Sequence, residues 1–172
     1  MKQFFQARTI NLFLTIFCPT ILILIIRPEL FAVTVALNAL QYLLLLGYFY
    51  FLASALRNKL IPGISISNTL FNVCLGIAFI LLCLKDFAKY LPADQQDNLA
   101  IFIPLALVAI FIFYIYIHLG HLLASVEREE NVPFKKHIFE SLLFLFFGLG
   151  IWALQPRIRN IFSEPKAPRA ES

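Results

Sequence analysis

The stretch LAIFIPLALVAIFIFYIYIHLGHLLASV, residues 99–126, contains no Asp, Glu, Lys or Arg. A bilayer core of about 30 Å is crossed by about 20 helical residues at about 1.5 Å each. This run is therefore longer than one span and reads as a transmembrane helix that continues into water at the charged residues 127–130. Four more apolar segments accompany it, at 10–26, 30–56, 69–84 and 138–154. The second also exceeds a span, whereas the first, third and fifth are short and need flanking residues or tilt to cross.

Composition points the same way. Of 172 residues, 60% are hydrophobic and 14% charged, where soluble domains carry about 25% charged residues; the mean hydropathy is +0.83. Nineteen Phe and six Tyr suit hydrocarbon and its aromatic boundary. The expected fold is an all-α integral membrane protein, a bundle of five hydrophobic helices. At least four span the membrane, and the fifth either spans or is re-entrant. One bundle over residues 1–162 is expected, with helices at about 10–26, 28–57, 68–85, 98–129 and 135–155. The Pro- and charge-rich residues 163–172 read as a disordered tail.

Arg27-Pro28-Glu29 separates the first two segments, because proline disfavours helical geometry before it and suits the first turn after it. The end of segment one, LIIRPE, lacks the small residues of a signal-peptidase site, so an uncleaved anchor is expected. Pro62-Gly63 marks a turn, Ser67 or Asn68 an N-cap for the third helix, and Asp97 or Asn98 one for the fourth. The linker after the fourth helix breaks at 131–133.

Charge decides part of the topology. With five crossings, Lys2, Arg8, Arg57, Lys59, Arg128, Lys135 and Lys136 lie on one side and seven other Lys and Arg on the other, which gives no preference. If the fifth segment enters and returns, the tail changes side and the count becomes eleven against three. Gly148-Leu149-Gly150, mid-segment, suits such a turn; in a crossing helix the same glycines would admit a close neighbour. A cell membrane, plasma or inner, with a cytoplasmic N-terminus is the expected location. The lipid bilayer is the expected partner, together with other membrane proteins or a second copy. Nucleic acid is not expected, because the cations sit in short linkers and form no basic stripe. Cys18, Cys74 and Cys83 lie inside apolar runs and read as small buried hydrophobes.

Polar residues recur at helical spacing: Asn11, Thr15 and Cys18 before Pro19; Thr34, Asn38 and Gln41; Asn68, Asn72 and Gly76; and Tyr114, His118, His121, Ser125 and Arg128. Lipid offers no hydrogen bonds, so these stripes predict the inward faces. Thr34, Asn38, Gln41, Asn72 and Tyr114 are the candidates for interhelical bonds or a polar cavity. No carboxylate lies at mid-membrane depth, which weighs against proton- or sodium-coupled transport.

His118 and His121 fall at the membrane edge and are the candidate metal ligands. A zinc or iron site needs more ligands, and only His137 and the linker acids could supply them. Haem would need two histidines at one depth, whereas counting along the chain separates His121 and His137 by about 9 Å. No cofactor is expected. The motifs of nucleophilic, phosphate-binding or zinc-hydrolase chemistry are missing from the sequence, so a non-enzymatic role is favoured. The leading expectation is an accessory or assembly subunit acting through helix contacts. A small-solute transporter or channel on the polar faces of helices two and three is one alternative, and a metal- or haem-binding protein around His118 and His121 another. The end of the fourth helix and the start of the fifth segment at His137 are expected to form one polar surface.

Overall fold

The computed structural model describes residues 9–26, 31–88 and 99–163. Within them the chain is all helix and turn: α1 (Thr9–Ile26), α2 (Phe31–Arg57), α3 (Thr69–Ala88), α4 (Leu99–Arg128), α5 (Phe134–Leu145) and α6 (Phe147–Ser163). Three stretches are long and apolar enough to cross a bilayer: Ala32–Arg57, Thr69–Phe87 and Leu105–Arg128. A fourth is counted only if α5 and α6 act as one broken span, and α1 falls just short. The Arg27-Pro28-Glu29 break, the Asp97 or Asn98 cap and the tail 164–172 lie outside the described residues.

α2, α3 and α4 pack side by side, with α1 on α2 and α5 on the last turns of α4. The α2–α3 connection turns at Gly63, whose φ of 98° is open to glycine. Two residues then share the start of α3. The Asn68 carbonyl accepts the Asn72 N–H at 2.9 Å, and the Ser67 hydroxyl accepts the Thr69 N–H at 3.3 Å, which leaves the Asn68 side chain for another partner.

The fifth apolar segment departs from a single helix over 135–155. It breaks at Phe146, where the chain bends by 120° from one helix to the next. Gly150 makes the bend possible: its N–H reaches the Phe146 carbonyl at 2.6 Å, and a Cβ there would sit 2.8 Å from the Leu143 carbonyl carbon. Gly148 has open space where a Cβ would be, so only the second glycine of the pair admits a close neighbour. α6 then runs through Pro156 to Ser163. An interior proline costs about 3 kcal/mol. Pro156 is exposed, whereas Ile158 and Phe162 beyond it are buried, and each such burial returns about 1.5–3 kcal/mol.

The far end of α6 comes back to the end of the bundle from which α5 departs. The Lys59 ammonium lies 5.8 Å from the centre of the Phe162 ring, and Arg157 pairs with Glu127 at the end of α4. At the bend, Phe147 packs on Tyr48 and Phe49 at 5.6 and 5.2 Å between centroids, about 12–14 Å of helix from Arg57. α5 and α6 thus form a hairpin reaching roughly a third of the way along α2. It adds a layer at that end only, and the core gathers there, with Phe49 edge-on to Tyr116, Phe144 and Phe147 and Leu52, Leu56, Phe71, Ile115, Leu119 and Ile151 fully buried around it.

Candidate functional site

The end of α4 and the start of α5 form one polar cluster, brought together by the linker between them. Glu129, at a left-handed φ of 53°, ends α4. The chain then folds back along the helix instead of continuing outward: the Val132 N–H reaches the Ser125 hydroxyl at 3.4 Å, and Arg128 Nη2 donates to the Lys136 carbonyl at 3.0 Å. α5 can lie this close because Gly120 faces Ser141. A Cβ on Gly120 would stand 2.6 Å from the Ser141 nitrogen and 2.9 Å from its Cα.

This fold-back corrects the depth assigned to the histidines. His121 and His137 lie at one level with their rings stacked, centroids 5.0 Å apart and planes inclined by 22°. Counting residues separates them only if the linker rises away from α4. His121 Nε2 donates to Asn131 Oδ1 at 3.1 Å. His137 Nδ1 donates to the Ser141 hydroxyl at 3.3 Å, and that hydroxyl donates to the His137 carbonyl at 3.1 Å. Face-to-face rings this close leave no space for a macrocycle between them. His118 turns elsewhere: it is buried, stacks on Phe71 at 4.7 Å and donates from Nε2 to Asn68 Oδ1 at 2.9 Å. The two candidate metal ligands therefore face different neighbours, and among the described residues no three His, Cys, Asp or Glu side chains gather as a metal-binding group.

Four charges complete the cluster. Arg157 of α6 forks onto Glu127, with Nε 2.8 Å from Oε1 and Nη2 on Oε2, and Nη2 also reaches Glu140 Oε1 at 3.0 Å. Arg128 adds a longer ion pair to the same oxygen at 3.6 Å. Glu140 is 4% exposed, and its other oxygen, Oε2, has no hydrogen-bond partner among the described residues. Two carboxylates against two guanidinium groups leave the cluster without net charge, and the forked Arg–carboxylate geometry is the strongest form such a pair takes.

The remaining polar candidates do not converge. Gln41 accepts a hydrogen bond from the Thr20 hydroxyl of α1; Thr34, Asn38 and Tyr114 are half-buried, with the Tyr114 ring 6.0 Å from His118. Asn72 faces outward, one turn into α3. The α1 stripe is also reversed: Asn11, Thr15 and Cys18 are exposed, while Leu12, Ile16 and Pro19 are buried. The Thr15 hydroxyl donates to the Asn11 carbonyl of its own helix at 2.8 Å, so it needs no partner helix.

Other polar residues make the contacts between helices. Tyr42 donates to the buried Asp86 at 2.8 Å, joining α2 to α3, and Tyr48 donates to the buried Gln155 at 3.4 Å, joining α2 to α6. Interhelical bonds in lipid contribute about 0.6–2 kcal/mol each. Tyr42→Phe and Asn68→Ala should each lower stability by about that amount in a denaturant titration of the detergent-solubilised protein. The two sites lie at opposite ends of α3, so the double variant should show the sum. Compared with known proteins, the chain matches no family model, no curated protein and no solved structure.

Proposed function

We propose that this chain is a multi-pass membrane protein acting through helix contacts, as an accessory or assembly subunit with no chemistry of its own. The observation that carries the reading is that its polar side chains pair off helix by helix. Thr20–Gln41, Tyr42–Asp86, Tyr48–Gln155 and Asn68–His118 each join a different pair of segments. A site for solute or substrate calls for polar groups aimed at a common space, and these are aimed at one another.

In this reading α1 to α4 cross the membrane, and the α5–α6 hairpin enters and leaves on one side. The return of α6 toward Lys59 and Glu127 supports that topology. It also puts eleven Lys and Arg on the side of the N-terminus against three on the other, the distribution of a cytoplasmic N-terminus in a plasma or inner membrane. Extraction in mild detergent after crosslinking in the native membrane should recover a membrane partner, or a second copy, in fixed stoichiometry. A monodisperse monomer without a partner would count against the reading. Solute flux in proteoliposomes that disappears with Asn38→Ala and Gln41→Ala would replace it with transport.

A further inference from the structure

We propose that the α5–α6 hairpin binds anionic phospholipid, with acyl chain along its outer face and phosphate at a cationic rim of Lys135, Lys136 and Arg159. The inference rests on the membrane reading above.

The exposed positions of α6 recur at helical spacing and share one face, whose chemistry changes with height. Next to the tip stand Leu149, 81% exposed, and Trp152, 52% exposed. Pro156 follows, and Arg159, Asn160 and Ser163 close the helix, all exposed. From Leu149 to Arg159 the helix rises about 15 Å, half of a hydrocarbon core of about 30 Å and so one leaflet.

α5 carries the same gradient in the opposite chain direction. Lys135 and Lys136 are exposed at the rim, and Ile138, Phe139 and Leu142 are exposed on the way to the tip. Both legs thus present apolar side chains where an acyl chain lies and cations where its phosphate lies.

The sign of the rim selects the lipid. Arg128 and Arg157 are engaged by Glu140 and Glu127. Lys135 and Arg159 take part in no ion pair among the described residues, and Lys136 meets only the exposed Glu130 at 3.5 Å, a contact that water and salt weaken. A zwitterionic headgroup brings no net charge to these cations, whereas an anionic one does.

The chain carries its own reporter, since Trp152 is its single tryptophan and lies on the proposed lipid face. Full-length protein is reconstituted in phosphatidylcholine vesicles doped with acyl-brominated phosphatidylglycerol or, at equal mole fraction, acyl-brominated phosphatidylcholine. Contact with bromine quenches Trp152. Phosphatidylglycerol should show a relative association constant about fivefold higher, the effect of roughly one cation near an anionic headgroup. High salt and the triple variant Lys135→Gln, Lys136→Gln, Arg159→Gln should abolish the preference, and Lys85→Gln at the opposite end of α3 should preserve it. Equal quenching by both lipids, or a preference that survives the triple variant, overturns the anionic-lipid site and leaves the membrane reading standing. If neither lipid quenches and aqueous iodide does, the membrane reading itself falls.

Discussion

Gly120→Val should detach the α5–α6 hairpin from α4 and give a protein that unfolds well below the wild type in detergent. The side chain would meet the Ser141 nitrogen and Cα, at 2.6 and 2.9 Å from Cβ alone. Backbone cannot swing aside as the end of a flexible side chain can. Overpacking a well-packed contact costs about 1–3 kcal/mol, and Gly120→Ala should fall in that range, or about 2–4 °C in unfolding temperature per kcal/mol. Valine adds two methyl groups to the same clash and should exceed it. The controls run the other way: Gly47 and Gly76 have open space at the Cβ position. Alanine there should be neutral or stabilising, by up to about 1 kcal/mol from helix propensity. Thermal unfolding of the three alanine variants side by side tests the idea. If Gly120→Ala unfolds with Gly47→Ala, α5 does not lie on α4 as described.

That contact also shows where sequence reading reaches its limit. α2 and α4 were legible because long charge-free runs have few structural options in lipid, whereas the short third run, 69–84, becomes α3 only with its flanking residues 85–88. The turn at Pro62-Gly63 and a cap at Ser67 or Asn68 followed from local chemistry that needs no tertiary information, whereas the division of the α3 start between the two depends on His118 taking the Asn68 side chain. The Gly148-Leu149-Gly150 element signalled a possible bend. Its position at Phe146 and its angle depend on Gly150 passing the Leu143 carbonyl, a contact that only three dimensions define.

The α1 stripe misled for a different reason. A helical hydroxyl can bond a carbonyl of its own helix, as Thr15 does with Asn11, so polarity alone does not say which face turns inward. Gln41, with a longer side chain, does reach across to α1. The histidines were placed at the right end of α4 but at the wrong relative depth, because a left-handed Glu129 is not readable from the residue type. Once the linker folds back, His121 and His137 meet.

The charge cluster was the least legible part, and it carries the second large effect expected here: Arg157→Met should destabilise the protein by about 3–5 kcal/mol, on the order of 10 °C at about 2–4 °C per kcal/mol. Glu140 and Arg157 are 17 residues apart. On one straight helix that separation is about 25 Å, and the two would never be paired. The 120° bend closes it to 3.0 Å.

Glu140 is buried and already has one oxygen without a partner among the described residues. Without Arg157 it keeps only the guanidinium of Arg128 at 3.6 Å, and a buried charge with poor compensation is what makes breaking such a pair costly. Glu127→Gln should cost less, because the Glu127 side chain is 24% exposed against 5% for Glu140, and water can replace part of what it loses. The double variant Arg157→Met, Glu140→Leu removes both the charge and its need for a partner, and should recover most of the stability lost in Arg157→Met alone. A double-mutant cycle over these variants separates the alternatives. Strictly additive losses would mean that the two residues do not act on each other, and the hairpin would then be held by apolar packing and the Gly120 crossing instead of by its ion pairs.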